Sequence, residues 1–134
     1  PGTSCTTEQA AYVEGLLSAV GPVVRVSEDL QDAVTATSGS GPAYVFLLIE
    51  AMVAAAVELG LPADIARDLV RTTVVGAATM AAQPTADVGV LREQVTSPGG
   101  TTAAALAVFE AEGFSRIVSA AMTAARDRGR ELGA

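Results

Sequence analysis

The chain has 134 residues, a net charge of −7 and a mean hydropathy of +0.42, and half of its residues are hydrophobic. Its eight basic residues are all arginine, and it has no histidine. An acidic chain without a basic cluster argues against nucleic-acid binding and against anionic membrane surfaces. Without histidine, and with Cys5 as its single cysteine, it is also expected to hold no metal. A lone cysteine and the lack of a signal-peptide pattern predict a cytoplasmic protein.

The length fits one domain, but the apolar excess is mostly Ala and Val, more than a single chain of this size can cover. We therefore expect an obligate oligomer.

Residues 1–27 differ in pattern from the rest. Thr6 to Gln9 has the form of a capping box and opens a helix that we expect to end at Gly21-Pro22. The β-branched run Val23–Val26 predicts one strand. Since one strand makes no sheet, we expect residues 1–27 to be the last helix and strand of an α/β domain whose remainder lies upstream.

From Ser27 onward every pattern is helical, which predicts an all-α bundle. The helix expected from about Ala43 to Leu59 is apolar on nearly all sides, which is typical of a core or interface helix. It carries Glu50, expected to reach a helix cap, an arginine or a rim of solvent, and it also carries Glu58, so a membrane span is the weaker interpretation. Further helices are expected after Pro62, from Thr85 or Asp87, after Thr102 and after Gly113. The buried side of the helix after Pro62 is predicted to comprise Ile65, Leu69, Val70, Val74, Ala77, Ala78 and Ala81.

Two segments rich in Gly, Ser and Thr each precede a helix. In Thr96–Thr102, a proline, two glycines and two threonines lead into a helix, whose first N–H groups have no internal partners. This predicts a cradle for a carboxylate or phosphate, and a tight connection with a threonine cap remains the alternative. Ser38–Pro42 is expected to be a second such loop, with Pro42 at the first helical position. With no histidine, lysine or nucleophile–base pair, the chain is suited to clamping an anion while a cofactor supplies the chemistry.

Several motifs resemble those of the pyrroline-5-carboxylate reductase family: Asp32–Thr35, Ser38–Tyr44, Leu91–Thr102 and Gly113-Phe114. The resemblance implies that residues 28–134 are the helical dimerisation and substrate-binding domain, similar to the 6-phosphogluconate dehydrogenase C-terminal-domain-like fold. Residues 1–27 would then be the end of the dinucleotide-binding domain.

The resemblance also implies an activity, the NAD(P)H-dependent reduction of 1-pyrroline-5-carboxylate to L-proline, the last step of proline biosynthesis. The N–H groups of Gly100, Thr101 and Thr102 would bind the substrate carboxylate, and the Thr102 hydroxyl, the candidate catalytic group, would face the ring nitrogen. Implied substrate-binding residues are Val95, Ser97, Gly99, Gly100, Thr101 and Thr102, and those implied to lie near the nicotinamide are Ser38, Gly39, Ser40, Gly41 and Pro42.

The implied coenzyme, NADP(H) or NAD(H), would be bound mainly by the upstream domain, since no G-x-G-x-x-G occurs here. We therefore expect the chain alone not to turn over substrate. The resemblance also implies that it forms a homodimer, or a larger ring of dimers. A β-hydroxyacid dehydrogenase is disfavoured because its catalytic lysine has no counterpart. A non-catalytic dimerisation or regulatory module is the other alternative.

Overall fold

The computed structural model describes residues 2–133, and this part of the chain is helical with no β-strand. A 3₁₀ turn at Glu28–Leu30 precedes α2, and a π-helix at Thr35–Gly39 separates α2 from α3. The α-helices are α1 (Thr7–Leu17), α2 (Gln31–Val34), α3 (Gly41–Glu58), α4 (Ala63–Ala81), α5 (Val88–Gln94), α6 (Thr101–Ala111) and α7 (Phe114–Gly133). The all-α class is confirmed.

The predicted strand at Val23–Val26 is wrong for this chain, because Pro22–Ser27 lies outside every helix and strand. The physical reason is that a strand needs a neighbour to pair with. No second extended segment pairs with it in the described residues.

The capping box at the start of α1 is confirmed. The Thr6 hydroxyl accepts a hydrogen bond from the Gln9 N–H at 3.2 Å, and the Gln9 side-chain oxygen accepts one from the Thr6 N–H at 3.0 Å. The helix ends at Leu17, earlier than the predicted Gly21-Pro22, because the chain tightens into a turn in which the Val20 N–H donates to the Leu17 carbonyl.

The chain forms two compact units, and α7 runs through both. The first unit holds the residues up to Ser40 and those from Met122 onward, and the second holds Gly41–Ala121. In the second unit, α3 and α4 pack against each other across a turn at Gly60, whose φ of +100° confirms the predicted glycine stop. Gly113, with φ +73°, forms the turn between α6 and α7, where the rings of Phe109 and Phe114 meet edge to face at 5.3 Å.

The buried face of α4 is partly different from the prediction. Ala66 and Val70 are buried, whereas Ile65 and Leu69 are about half exposed. Small side chains allow close helix approach, so α4 packs through Ala66 and leaves its larger apolar residues uncovered.

Most apolar side chains of the single chain remain exposed to solvent. Among the described residues, the buried hydrophobic ones are Ala36, Ala66 and Val70. The chain exposes 10377 Å², whereas a folded monomer of 13.4 kDa is expected to expose about 6,500 Å². Helix α3, predicted to be a core or interface helix, is exposed in the single chain: Phe46 and Leu47 are 63% and 66% accessible. Glu50 is likewise exposed rather than buried, so its carboxylate is solvated.

The helical stretch Glu28–Glu58 contains an 18-residue window with a mean hydropathy of 1.7. By length and composition alone, it is apolar enough to cross a membrane. Helices that pack in protein cores share these properties.

Candidate functional site

The segment Thr96–Thr102 follows α5, whose two ends are both held by hydrogen bonds. Asp87 caps the start of α5, accepting hydrogen bonds from the Gly89 and Val90 N–H groups at 2.8 and 3.1 Å, which resolves the Thr85-or-Asp87 alternative. At the other end of α5, the Thr96 hydroxyl donates to the Arg92 carbonyl at 2.6 Å and the Thr96 N–H donates to Glu93 at 3.0 Å. The loop therefore leaves α5 in a fixed direction.

Ser97–Gly100 forms a tight turn closed by the Gly100 N–H donating to the Ser97 carbonyl at 3.0 Å. Pro98 occupies the second position and Gly99 the third, where φ is +68°. This is the pattern of a type II turn, which requires glycine at the third position. Gly100 is also confined, since a Cβ there would lie 3.1 Å from the Ser97 carbonyl oxygen.

Helix α6 begins directly after this turn, with Gly100 as its N-cap residue (φ −81°, ψ 176°). No side chain caps the helix, so the alternative of a threonine cap is wrong. The first intrahelical acceptor used is the Gly100 carbonyl, which receives the Ala104 N–H at 3.1 Å. Within residues 2–133, the N–H groups of Thr101, Thr102 and Ala103 therefore have no acceptor.

Three consecutive N–H groups at a helix N-terminus carry partial positive charge and suit an anion. The set differs by one residue from the sequence expectation, because the Gly100 N–H is engaged in the turn and Ala103 takes its place. The sequence pattern does not single out Ala103, because its role depends on the residue at which α6 begins.

The side chains around this cradle are small and mostly accessible. Thr102 is half-buried, whereas Val95, Ser97 and Thr101 are exposed. The hydroxyls of Ser97, Thr101 and Thr102 make no hydrogen bond to any described residue. The ion pairs of the described residues all lie in the first unit.

The structure corrects the prediction of a second loop at Ser38–Pro42. This segment is not a loop before a helix N-terminus but the end of a π-helical turn inside one continuous helical stretch, Glu28–Glu58. The Ser40 N–H donates to the Thr35 carbonyl at 2.8 Å, five residues back. The physical reason lies in Pro42, whose ring and missing N–H disrupt a regular α-turn, while a widened turn accommodates both.

The π turn occupies most of its own polar groups. The hydroxyls of Thr37 and Ser38 donate to the Ala33 and Val34 carbonyls at 2.7 and 3.0 Å. The half-buried Ser40 hydroxyl has no partner in the described part of the chain. This segment is therefore not an anion cradle, and Ser40 is its available polar side chain.

The first unit also contains a shallow apolar groove of about 240 Å³ between α1 and the extended segment. Val13, Leu17 and Val24 line it, and an ion pair between Glu14 and Arg25 lies at its edge, with Arg25 Nε 2.9 Å from the Glu14 carboxylate. No group of His, Cys, Asp or Glu suited to a metal occurs among the described residues.

With the helical fold and the cradle established, comparison with known proteins defines the class. The family described as pyrroline-5-carboxylate reductase dimerisation matches residues 28–132. The chain belongs to the pyrroline-5-carboxylate reductase family, within its dimerisation domain.

Individual relatives agree with this assignment. The chain is 47% identical over 131 residues to a pyrroline-5-carboxylate reductase of Arabidopsis thaliana, covering 98% of this chain and 48% of the relative. A solved pyrroline-5-carboxylate reductase from Coxiella burnetii is 42% identical, with a TM-score of 0.89 over 98% of this chain and 49% of that one. The Plasmodium falciparum pyrroline carboxylate reductase structure with NADP bound is 32% identical, with a TM-score of 0.88 over 99% and 51%. The chain spans about half the length of the curated relatives it matches.

Proposed function

We propose that the protein containing this chain reduces 1-pyrroline-5-carboxylate to L-proline, and that this chain supplies the substrate carboxylate site and the dimer interface. The observation that carries the proposal is the row of acceptor-free N–H groups at Thr101, Thr102 and Ala103, in a chain of this family. A planar carboxylate with two oxygens matches such a row.

In this proposal, each residue of the segment has a separate task. The Thr101, Thr102 and Ala103 N–H groups hold the carboxylate, and the rigid Ser97–Gly100 turn with its glycines leaves room for it. The Thr102 hydroxyl, one residue into the same helix turn, orients the ring nitrogen. Val95 forms an apolar wall beside the ring. The reaction adds a hydride to the imine carbon and a proton to the nitrogen.

The coenzyme, NADP(H) or NAD(H), supplies the hydride when bound. The residues Ser38–Pro42 fit a surface beside the nicotinamide, because Ser40 offers a hydroxyl with no intramolecular partner. They do not fit a phosphate cradle, because the Ser40 N–H is used inside the π turn. We therefore assign most of the coenzyme contacts to residues outside this chain, and the NADP bound in the Plasmodium relative supports this class of coenzyme.

Residues 1–27 are proposed to belong to the coenzyme-binding domain. This assignment is supported by the exposed apolar groove along α1 and by the unpaired segment Pro22–Ser27. A strand of the coenzyme-binding domain would cover both. The proposed cellular location is the cytoplasm.

The exposed apolar surface of the second unit, including α3, is proposed to be covered by a second copy of the chain rather than by lipid. The excess of about 3,900 Å² per chain over a monomer of this mass is more than enough for an obligate dimer interface, which buries about 2,000 Å² or more in total. The family's description as a dimerisation domain also supports a second copy of the chain as the partner that covers this surface. Assembly of dimers into a ring remains part of this proposal.

The enzymatic proposal predicts a specific response to removing the Thr102 hydroxyl. A hydrogen bond to a charged or polarised nitrogen contributes about 1.5–3 kcal/mol, so Thr102→Val in the whole protein is expected to lower kcat/KM about 10- to 100-fold. Thr102→Ser, which keeps the hydroxyl, is expected to retain most activity. Thr73→Val is the matched control, because Thr73 is an exposed threonine on α4, outside the proposed site.

The measurement is the rate of NADPH oxidation with 1-pyrroline-5-carboxylate. Equal activity of wild type and Thr102→Val would contradict the assigned role. A whole protein that dimerises but oxidises no coenzyme would support the non-catalytic module instead. Proline formation by the 134-residue chain alone would contradict the proposal that most coenzyme contacts come from residues outside this chain.

The dimer proposal predicts that the chain sediments at twice its 13.4 kDa mass without detergent. A carboxylate placed on the exposed face of α3 by Leu47→Asp would then be buried without a partner, which costs several kcal/mol and is expected to shift the chain to monomer. Val20→Asp is the control, since Val20 is also exposed but lies outside the proposed interface. Analytical ultracentrifugation measures both, and a folded wild-type monomer at micromolar concentration would overturn the proposal.

A further inference from the structure

Thr96 holds the C-terminal end of α5 with two hydrogen bonds from a single residue. Its N–H donates to the Glu93 carbonyl, three residues back, at 3.0 Å, and its hydroxyl donates to the Arg92 carbonyl, four residues back, at 2.6 Å. In a regular α-helix, the backbone N–H would donate to the carbonyl four residues back. The Thr96 hydroxyl therefore takes the place of the backbone N–H on Arg92, and the tightened helix end leaves both carbonyls with a donor.

The surroundings of Thr96 add weight to the hydroxyl bond. Thr96 is half-buried, whereas its neighbours Val95 and Ser97 are exposed. A carbonyl that loses its donor in a partly buried place costs free energy, because water compensates for it incompletely. The end of α5 is therefore expected to shift if the hydroxyl is removed.

A short series of covalent and hydrogen bonds connects Thr96 to the cradle. Ser97 follows Thr96 directly, and its carbonyl accepts the Gly100 N–H at 3.0 Å. The turn between Ser97 and Gly100 contains a proline, whose φ is fixed. Gly100 is confined as well, since a Cβ there would lie 3.1 Å from the Ser97 carbonyl oxygen, and its own carbonyl accepts the Ala104 N–H at the start of α6. The direction in which the chain leaves α5 therefore determines where the N–H groups of Thr101–Ala103 point.

We propose that Thr96 is a positioning residue for the substrate site: its hydroxyl, bound to the Arg92 carbonyl, aims the N–H groups of Thr101–Ala103 at the substrate carboxylate. The proposal rests on the proposed function, because the place of the carboxylate at the start of α6 is part of it. It goes further by giving a role to a residue that has no assigned contact with substrate or coenzyme.

The test uses the whole protein that contains this chain and the variant Thr96→Val, which keeps the shape of the side chain and removes its donor. The KM for 1-pyrroline-5-carboxylate is expected to rise about fivefold, because the Arg92 carbonyl loses its partner and the cradle is no longer aimed. The kcat and the dissociation constant for NADPH are expected to stay within about twofold. Amide hydrogen exchange over residues 97–103 is expected to accelerate.

Two further variants separate positioning from the general loss of a hydrogen bond. Thr96→Ser keeps the hydroxyl, so its KM is expected to stay within about twofold of the wild-type value. Thr79→Val is the matched control, because the Thr79 hydroxyl also donates four residues back, to the Val75 carbonyl at 2.8 Å, but lies within α4. It should change neither the KM nor the exchange over residues 97–103. If Thr96→Val does not fold, Thr96→Ala removes the same donor and takes its place in each measurement.

An unchanged KM in a folded Thr96→Val protein, an equal rise in Thr79→Val, or an equal rise in Thr96→Ser would overturn the proposal. A wild-type protein that oxidises no NADPH with 1-pyrroline-5-carboxylate would overturn the proposed function instead. In that case the exchange measurement decides: faster exchange over residues 97–103 in Thr96→Val alone would support the control of this segment by Thr96, and unchanged exchange would refute it.

Discussion

The two segments rich in Gly, Ser and Thr look alike in sequence but use their backbones in opposite ways. Ser97–Thr102 makes a tight turn and then starts a new helix, which leaves three N–H groups without acceptors. Thr35–Pro42 stays within a helical stretch by widening it, and the Ser40 N–H is used in closing that turn. In this chain, N–H groups suited to an anion are found where the helix is interrupted and restarted, at the start of α6.

The largest expected effect, and the strongest test of the difference between the two segments, comes from disturbing the Ser97–Gly100 turn. Gly99 has φ +68°, a conformation that costs a residue with a Cβ about 1–2 kcal/mol, so Gly99→Ala is expected to raise the KM for 1-pyrroline-5-carboxylate about tenfold. Steady-state kinetics of the whole protein measure this change.

Gly60→Ala is the matched control, because Gly60 also has positive φ but lies in the α3–α4 connection. It should lower the unfolding temperature without raising the substrate KM. An unchanged KM in Gly99→Ala, or an equal rise in Gly60→Ala, would show that the turn does not shape the site.

A smaller effect is expected at the π turn. Pro42→Ala restores an N–H and removes the ring, so the widened turn competes with a regular α-turn, and NADPH affinity is expected to fall about two- to threefold. Pro62→Ala, at the N-cap of α4, is the control and should leave that affinity unchanged. A substrate KM that changes more than NADPH affinity in Pro42→Ala would contradict the separation of the two segments.

Local signals predicted the parts of the fold that depend on neighbouring residues. The Thr6–Gln9 capping box and the glycine stop at Gly60 depend on contacts within one or two turns, and both are observed. The Thr96–Thr102 segment was likewise recognisable, since proline and glycines before a helix imply a turn. The start of α6, and with it the part played by Ala103, required the structure.

The features that the sequence could not provide depend on distant residues or on a partner. Ser38–Pro42 is compatible with both a loop and a widened helix, and the structure shows that the helical stretch Glu28–Glu58 continues through it. Val23–Val26 has strand-forming residues but no neighbouring strand within the described residues. The composition of α3 is typical of a core helix and of an interface helix alike, and the structure was needed to show that its apolar surface is exposed in the single chain.

The most direct test of the central claim is the amide NMR spectrum of the ¹⁵N-labelled chain during titration with L-proline. The Thr101, Thr102 and Ala103 N–H signals should shift, the Ser40 N–H signal should not, and pyrrolidine, which lacks the carboxylate, should shift none of them. Shifts at Ser40 without shifts at Thr101–Ala103, or equal shifts with pyrrolidine, would contradict the assignment of the carboxylate to the start of α6.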